Sequence, residues 1–254
     1  MLKRLKSLWT RARDAGDPDE TTAPPGVPPV HLRKRVHGTD DIAGYENVGR
    51  IVANAVFSHL NVNGDDAPIR GLDFGSGSGR VLVPLHELCQ KHSPSYERVE
   101  WFGSDVDRQA IAWAQKNLGS IATFVVNEPM PPLPFDDQFF DFIFSISVFT
   151  HIPEDMQFAW LAELSRVLKI GGSALVSTLS LDLLKNKLSE AELRKGFYYI
   201  DGGKGTEGLP RFYRDTHHSR EYIEREWSRY FSIEGFLEKG IADHQDLVLC
   251  KRVK

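Results

Sequence analysis

Apolar and polar positions alternate between helical and strand-like spacing from about residue 45 onwards. Over residues 45–60, apolar residues recur three and four positions apart, which predicts a helix with one buried face. Short apolar runs bounded by glycines or polar residues follow at regular intervals and predict strands. The predicted strands are residues 69–74, 99–105, 122–126, 140–147 and 173–179. The predicted helices between them are residues 80–91, 108–118 and 153–168, and Gly171 and Gly172 are expected to end the last helix.

The order of these elements predicts the architecture. Strands that alternate with helices form parallel βαβ units, with helices on both faces of the sheet. The last part of the chain differs: residues 180–195 and 220–230 have helical spacing, and a short loop separates two late strands at 231–237 and 246–253. Such a pair predicts an antiparallel hairpin at one sheet edge. We therefore expect a single three-layer α/β domain with a mostly parallel, seven-stranded sheet and an antiparallel C-terminal hairpin strand.

The first 40 residues differ from the rest of the chain. In residues 1–15, basic residues precede the first acid and apolar residues recur at helical spacing, which predicts a basic amphipathic segment. Such a helix either contacts an anionic membrane peripherally or rests on its own domain. Prolines then cluster among small and acidic residues, which predicts a linker over residues 16–40. We expect the compact domain to begin between Val30 and Asp41 and assign it to residues 41–254.

The composition of the 254-residue chain narrows the class of protein. Hydrophobic residues make up 41% and charged residues 26% of the chain, which is typical of a globular protein and excludes a disordered or fibrous one. The formal net charge of -4 argues against a nucleic-acid partner. No apolar run in the sequence approaches the ~20 residues of a membrane-spanning helix. The two cysteines, Cys89 and Cys250, fit a reducing compartment, so we expect a cytoplasmic protein.

A glycine-rich motif lies between the first predicted strand and its helix. Its residues are Asp73, Gly75, Ser76, Gly77 and Gly79. Glycines let the backbone turn sharply and approach a ligand without a Cβ clash, and open α/β sheets bind ligands at the carboxyl ends of their strands. The Asp73 carboxylate suits an ammonium group or a zwitterion better than a phosphate. Asp105 ends the second strand, where it can accept both hydroxyls of a ribose, and Val106 offers an apolar surface for a base.

These motifs resemble those of the class I S-adenosylmethionine-dependent methyltransferases. The first motif of that family, acid-x-Gly-x-Gly-x-Gly, is matched by residues 73–79, and Gly103 and Asp105 match the Gly-x-Asp that ends its second strand. Two further motifs match at residues 133–141 and 163–172, with Ile170 where the family usually has proline. The resemblance covers about residues 69–179. It implies a Rossmann-like fold, methyltransferase activity and S-adenosylmethionine as the cofactor.

The resemblance also implies which residues contact the cofactor. These are Asp73, Gly75, Ser76, Gly77, Gly79, Asp105, Val106, Asn127 and Ser145. The first motif lines the methionine moiety, Asp105 holds the ribose and Val106 contacts the adenine. Asn127, at the end of the third strand, occupies the place of the residue that bonds the adenine amino group. Ser145, at the end of the fourth strand, flanks the methionine.

The acceptor side is less explicit. His151 follows the fourth strand at the mouth of the expected pocket, and a pKa near neutrality suits a general base for a hydroxyl or an amine. His151 is therefore the candidate catalytic residue, with a cap of the following helix as its other possible role, and His217 and His218 come next. An insertion at residues 180–230 is expected to cover the acceptor. Its aromatic and polar residues suit a small-molecule or glycan acceptor that is methylated at oxygen. No metal is expected, because the histidines lack ligand spacing.

Two other classes of protein stay open. An S-adenosylmethionine-binding protein without catalysis would keep the same glycine turn and Asp105, and cofactor turnover distinguishes it. A nicotinamide-dependent oxidoreductase would carry Gly-x-Gly-x-x-Gly with an acid about 20 residues further on, whereas here Asp105 lies roughly 30 residues after Gly75. A nucleic-acid methyltransferase is disfavoured, because the sequence has neither an appended basic domain nor an Asn-Pro-Pro-Tyr type motif after the fourth strand.

Overall fold

The computed structural model describes residues 24, 26–60, 68–92, 98–201 and 208–253. The helices in these residues are α1 Val30–His37, α2 Ile42–Phe57, α3 Leu82–His92, α4 Arg108–Leu118, α5 Glu154–Val167, α6 Glu190–Lys195 and α7 Arg220–Glu226. The strands are β1 Ile69–Phe74, β2 Val99–Asp105, β3 Ala122–Val126, β4 Phe140–Ser145, β5 Leu168–Ser180, β6 Phe197–Tyr199, β7 Thr216–His218, β8 Ser232–Ile241 and β9 Gln245–Lys251. Two 3₁₀ turns, Leu181–Leu184 and Trp227–Arg229, complete the described elements.

The strands form one mostly parallel sheet. β1 to β5 run parallel in the order β3-β2-β1-β4-β5, β9 lies antiparallel to β5, and β8 lies antiparallel to β9. The short strand β7 lies parallel to the last two residues of β5, and β6 lies antiparallel to β7. This arrangement confirms the α/β class, the mostly parallel sheet and the antiparallel hairpin. The described sheet has nine strands rather than the predicted seven, because β6 and β7 are too short to give a periodic pattern.

The strand order reverses between β1 and β4, and this reversal positions the site. From β1 the chain moves outward to β2 and β3, and then returns to the opposite side of β1 with β4. The loops that leave the carboxyl ends of β1 and β4 therefore diverge. Such a switch point leaves a crevice, which is where open α/β sheets bind their ligands.

Helices cover both faces of the sheet, and each face has its own core. On one face, Phe142 and Phe144 of β4 pack with buried residues of α2, α3 and α4. On the other face, Ile143 of β4 packs with Leu161 and Leu164 of α5 and with buried residues of α7. Because successive residues of β4 point to opposite cores, the strand is apolar at three consecutive positions, Phe142, Ile143 and Phe144. The predicted three layers are therefore present.

Helix α1 lies where the sequence analysis predicts part of a linker. Leu32 is only 3% exposed and belongs to the core beneath α2. The guanidinium of Arg33 donates to the carbonyl oxygens of Pro28 and Asp40, which holds the two ends of this segment together. Residues 30–37 are therefore a helix and not an extended linker. Periodicity missed this helix because the apolar positions of α1 are separated by basic residues and preceded by prolines.

Two boundaries near the end of the chain also differ from prediction. Helix α5 ends at Val167, and β5 begins immediately at Leu168, so Gly171 and Gly172 lie inside a strand rather than at a helix end. Backbone hydrogen bonds between these glycines and Arg252 extend β5 across them, which overrides the local glycine signal. The predicted loop at 238–245 is shorter in the structure, because β8 runs to Ile241 and only residues 242–244 link it to β9.

Residues 1–23 lie outside the described residues. The basic amphipathic segment at residues 1–15 and the first part of the linker at 16–40 therefore remain predictions. Among the residues that are described, no helix has the length and apolar character needed to cross a membrane.

The buried position of α1 predicts a stability effect. We expect Leu32→Ala to lower the free energy of unfolding by about 2–5 kcal/mol, because it removes a buried side chain and leaves a cavity. The control is Val36→Ala on the same helix, where the side chain is 47% exposed and the change should be within about 1 kcal/mol. Urea denaturation of both variants measures the difference. Equal stability of the two variants would show that residues 30–37 are an extended linker after all.

Candidate active site

A cavity of about 400 Å³ opens at the switch point of the sheet. Its walls come from the loops that follow β1, β2, β3 and β4, from α1, from residues 209–213 of the insertion and from the turn between β8 and β9. Small-molecule sites typically enclose about 300–1,000 Å³. The cavity is therefore large enough for a ligand of cofactor size.

The glycine turn after β1 forms the floor of the cavity. The backbone N–H groups of Gly75 and Ser76 both donate to the carbonyl oxygen of Ser104, at 2.7 and 3.1 Å, which anchors the turn on β2. Gly75 has φ +88°, and a Cβ atom there would lie 2.1 Å from the side chain of Val148. Gly77 has φ +50° and lines the cavity, with only Val36 within 4 Å of a Cβ position. Only glycine fits the first position, and at the second it leaves space for a ligand.

Asp73 presents a carboxylate to the cavity without a hydrogen-bond donor. Its side chain is 3% exposed, and no described residue donates a hydrogen bond to it. Burial raises the pKa of Asp73 well above its ordinary value, and the nearby charge of Asp105 raises it further. A buried carboxylate without a donor is unfavourable. The cavity therefore favours a ligand that brings a cationic or hydrogen-donating group to Asp73.

Asp105 is fixed by backbone donors at the end of β2. Its Oδ2 accepts a hydrogen bond from Gly77 N and its Oδ1 accepts one from Asp107 N, both at 2.8 Å. Burial raises the pKa of Asp105, and these backbone hydrogen bonds partly oppose that effect. Because each carboxylate oxygen has two lone pairs, both can still accept from a diol. The geometry fits the ribose contact that the sequence analysis assigns to Asp105.

The two residues assigned to the adenine, Val106 and Asn127, also line the cavity. The Asn127 side chain is oriented from within the protein, since Oδ1 accepts from the hydroxyl of Ser104 and Nδ2 donates to the carbonyl of Glu128, each at 2.8 Å. One amide hydrogen and one lone pair stay available to a ligand. The adenine contact of Asn127 remains a prediction.

Two of the predicted cofactor residues lie outside the cavity wall. Gly79 has φ +80°, and a Cβ atom there would lie 2.7 Å from Leu118, so its role is close packing of the turn against α4. Ser145 is completely buried in β4, while its neighbour Ile146 lines the cavity. Their assignment as direct contacts therefore differs from the observed cavity. The family motif locates the turn and the strand end, but side-chain direction at these positions depends on packing.

Helix α1 contributes cavity residues that sequence reasoning missed. Leu32, Arg35 and Val36 all line the cavity. The guanidinium of Arg35 pairs with the carboxylate of Asp107 at 2.5 Å and also donates to the side chain of Gln109, which fastens α1 over the end of β2. The spacing of Leu32 and Val36, four residues apart, is the one sequence signal that could have indicated this helix.

His151 lines the same cavity on the side of the insertion. Its ring stacks on Tyr213, with 4.2 Å between the ring centroids, and its Nδ1 lies 3.4 Å from Oδ1 of Asp215. Burial lowers the pKa of His151, while the charge of Asp215 and a backbone hydrogen bond with Arg214 oppose this effect. The ring is therefore neutral near pH 7 and can accept a proton. The structure thus brings the predicted base into the cavity that Asp73 and Asp105 line.

The alternative bases, His217 and His218, lie in β7 and do not line this cavity. His218 is buried, its Nε2 lies 2.9 Å from Oε1 of Gln157, and burial lowers its pKa to about 3. His217 contacts the carbonyl of Ser180 through Nδ1 at 3.1 Å. Both histidines therefore hold β7 in place. Within the described part of the chain, no group of three or more ligating side chains could hold a metal ion.

Comparison with known proteins finds a methyltransferase family model and solved structures with the same fold. Residues 72–176 match the family described as "Methyltransferase domain". An uncharacterised protein of Methanocaldococcus jannaschii is 28% identical over 134 residues, a match that spans only 55% of that relative and 52% of this chain. A protein of Pyrococcus horikoshii has the same fold, with a TM-score of 0.57, 17% identity, and coverage of 82% of this chain and 91% of its own. A SAM-dependent methyltransferase of Aquifex aeolicus gives a TM-score of 0.53, 16% identity and coverage of 81% and 92%.

Residues 72–176 therefore match a methyltransferase domain, and the chain shares its fold with S-adenosylmethionine-dependent methyltransferases, in agreement with the motifs. The cavity fits this cofactor. Asp73 offers an unneutralised carboxylate, Gly77 leaves room for close approach and Asp105 offers oriented acceptors. This fit explains why a buried acidic residue without a donor is retained at the end of β1.

We expect replacement of Asp73 to have opposite effects on the free energy of unfolding and on cofactor affinity. Burial raises the pKa of Asp73 in the folded protein above the ordinary value of 3.8. At a pH between these two pKa values, the folded protein holds a proton that the unfolded chain has released. The stability penalty is therefore fully present above the raised pKa and disappears as the pH falls through it. We expect Asp73→Asn to stabilise the cofactor-free protein at pH 7–8 and to weaken S-adenosylmethionine binding. Urea denaturation over a pH series and calorimetry measure the two effects. Loss of stability in Asp73→Asn at neutral pH would contradict this account.

Replacement of Asp105 should lower the affinity for the cofactor. We expect Asp105→Ala to weaken S-adenosylmethionine binding by about 1.5–3 kcal/mol, because it removes charge-assisted hydrogen bonds to the ribose and releases the N–H of Gly77. Calorimetry on folded protein measures the change, with the exposed Asp136→Ala as control. Affinity equal to that of the wild type would mean that the ribose binds elsewhere.

Proposed function

We propose that this protein transfers a methyl group from S-adenosylmethionine to a hydroxyl oxygen of a small-molecule or glycan acceptor. The observation that carries the proposal is that one cavity is lined both by the cofactor residues Asp73 and Asp105 and by His151. A protein that only binds the cofactor has no need of a neutral imidazole there. The bound cofactor supplies the methyl group, on a sulfonium that is already activated by its charge.

The charges in the cavity support an uncharged acceptor. The cations in its wall are Arg35 and Arg80, and both are engaged by the protein. Arg35 pairs with Asp107, and Arg80 donates to the carbonyl of Val36 at 2.9 Å. The charge of Arg35 is therefore compensated by Asp107, whereas Arg80 keeps its charge but belongs to the glycine turn after β1 and not to the insertion on the side of His151. This distribution favours an alcohol, a phenol or a sugar over an anionic metabolite.

The remaining side chains on the acceptor side support a polar ring substrate. Phe212 and Tyr213 offer aromatic surface, and His244 and Gln245 from the hairpin turn offer hydrogen-bonding groups. The Gln245 side chain is hydrogen bonded to the hydroxyl of Ser147, which lines the cavity as well. Aromatic surface combined with oriented polar groups is the usual way to bind a hydroxylated ring. A glycan or a hydroxylated small molecule fits both requirements.

In this proposal His151 is the general base. It accepts the proton of the acceptor hydroxyl as the oxygen attacks, and returns it to solvent afterwards. Alignment of the two substrates in the cavity supplies much of the remaining rate enhancement. Asp73 and Asp105 serve this alignment by holding the donor at its two polar groups.

The location and the peripheral contacts are part of the same proposal. A cytoplasmic setting fits Cys89 and Cys250, which are both buried free thiols. The basic segment at residues 1–15 would bring the enzyme to an anionic membrane surface when the acceptor is assembled there.

The catalytic assignment predicts a large loss of activity. We expect His151→Ala to lower turnover about 10²–10⁴-fold, the usual contribution of a general base, with S-adenosylmethionine affinity unchanged. The measurement is conversion of S-adenosylmethionine to S-adenosylhomocysteine with a panel of sugars, oligosaccharides and phenols. The control is His92→Ala, at the exposed end of α3.

Two results would overturn the proposal at different levels. Cofactor binding without conversion on any acceptor of the panel would indicate a binding protein. Conversion that survives in His151→Ala above about a tenth of the wild-type rate would show that the proton leaves by another route.

A further inference from the structure

Four hydrogen bonds join residues 147–152, after β4, to residues 213–216 of the insertion. They run from Tyr213 Oη to Ser147 O (2.9 Å), from Arg214 N to His151 O (2.9 Å), from Thr216 N to Thr150 O (2.7 Å) and from Thr216 Oγ1 to Ile152 O (3.0 Å). The two segments are more than 60 residues apart in the chain. Such pairing between irregular segments fixes their relative position more firmly than side-chain packing alone. The insertion is therefore attached to the backbone on both sides of His151.

This attachment sets two side chains against the His151 ring. Tyr213 covers one face of the ring, at an interplanar angle of 27°. Asp215 approaches the ring at Nδ1, and no other carboxylate of the described residues lies within 4.0 Å of a His151 nitrogen. A hydrogen bond with the backbone of Arg214 is the other polar contact of the ring within the described residues. Asp215 is therefore the charged group that these residues place on the ring.

Taking His151 as the base of the proposed function, we propose that Asp215 is its positioning residue. Asp215 holds the ring with the proton on Nδ1, so that Nε2 is the atom that accepts the acceptor proton. Tyr213 assists by restricting the rotation of the ring. The insertion then has a catalytic role beyond covering the acceptor.

The other groups near the ring cannot replace Asp215. The Tyr213 hydroxyl donates to Ser147 O, and burial raises the pKa of this tyrosine, so it stays protonated. His217 faces His151 from β7, and burial lowers its pKa, so it is neutral near pH 7. The backbone of Arg214 also forms a hydrogen bond with the ring, but it carries no charge with which to stabilise the imidazolium. A carboxylate on Nδ1 is the group that favours the tautomer with a free Nε2.

Methyl transfer and proton transfer both take place at the acceptor oxygen. The acceptor oxygen forms its bond to the methyl carbon while the carbon–sulfur bond breaks with its electron pair on sulfur. The O–H bond of the acceptor breaks, and its proton passes to Nε2. The imidazolium that results is stabilised by Asp215 and then loses the proton to solvent.

The first test is spectroscopic and does not depend on turnover. Full-length protein with ¹⁵N-labelled histidine is studied by NMR over a pH series, and the His151 signal is assigned by its absence from His151→Gln. We expect Asp215→Asn to lower the pKa of His151, because a negative charge beside the ring is lost. We also expect the ratio of Nδ1–H to Nε2–H tautomer to fall about two- to fivefold, the size of a partly exposed ion pair.

Matched variants distinguish positioning from general disturbance. Asp215→Glu should restore part of the tautomer ratio, and Asp201→Asn, an exposed carboxylate elsewhere in the insertion, should leave it unchanged. An unchanged His151 signal in Asp215→Asn would overturn the inference. If Asp215→Asn does not fold, an unperturbed His151 signal in Asp215→Ser would overturn it instead.

The second test uses turnover with an acceptor from the sugar and phenol panel. We expect Asp215→Asn to lower kcat about 10-fold with the KM for S-adenosylmethionine unchanged, and to move the acid limb of the pH–rate profile to lower pH. In a His151→Ala background the Asp215→Asn change should have no further effect. An equal loss in both backgrounds would overturn the inference. Mild loss in His151→Ala with an altered tautomer in Asp215→Asn would instead reject the base assigned in the proposed function.

Discussion

The hydrogen bond from the N–H of Gly77 to the carboxylate of Asp105 is the contact on which the site depends. It joins the turn after β1 to the end of β2, and the N–H groups of Gly75 and Ser76 reinforce it at Ser104. A side chain at Gly75 would collide with Val148, so the turn closes only with glycine there. One backbone arrangement thus fixes both a space for close approach and an oriented carboxylate. The position of the glycine turn and the orientation of the Asp105 carboxylate therefore cannot be altered independently.

The buried carboxylate of Asp73 lowers the stability of the folded protein. Each oxygen of the neighbouring Asp105 carboxylate accepts one backbone hydrogen bond, whereas Asp73 has no hydrogen-bond donor among the described residues and is more deeply buried. Two nearby negative charges in a poorly solvated crevice raise each other's free energy. A ligand with a positive charge relieves both at once. The cavity is therefore preorganised electrostatically for a cation, and the engaged Arg35 does not neutralise it because its charge is directed to Asp107.

Much of the fold could be predicted from periodicity. The bounds of β1, β2, β3 and α4 agree with prediction, because buried parallel strands are near-continuous apolar runs with sharp polar ends. The misassigned glycines at 171 and 172 have a different cause. A glycine pair after a helix favours a helix end locally, but β5 gains ladder hydrogen bonds with the far end of the chain. Pairing partners that distant leave no trace in a window of local sequence, and the same holds for β6 and β7.

The residues of the cavity also fall into those that are near one another in sequence and those that only the fold brings together. Residues such as Asp73, Gly77 and Asp105 could be singled out from sequence because β1, the glycine turn, α3 and β2 follow one another directly in the chain. The residues that surround His151 come from an insertion more than 60 residues away, and only the fold brings them together. One wall of the cavity thus comes from the turn after β1 and another from a distant insertion. Substitutions in the insertion can therefore reshape its wall without changing the glycine turn.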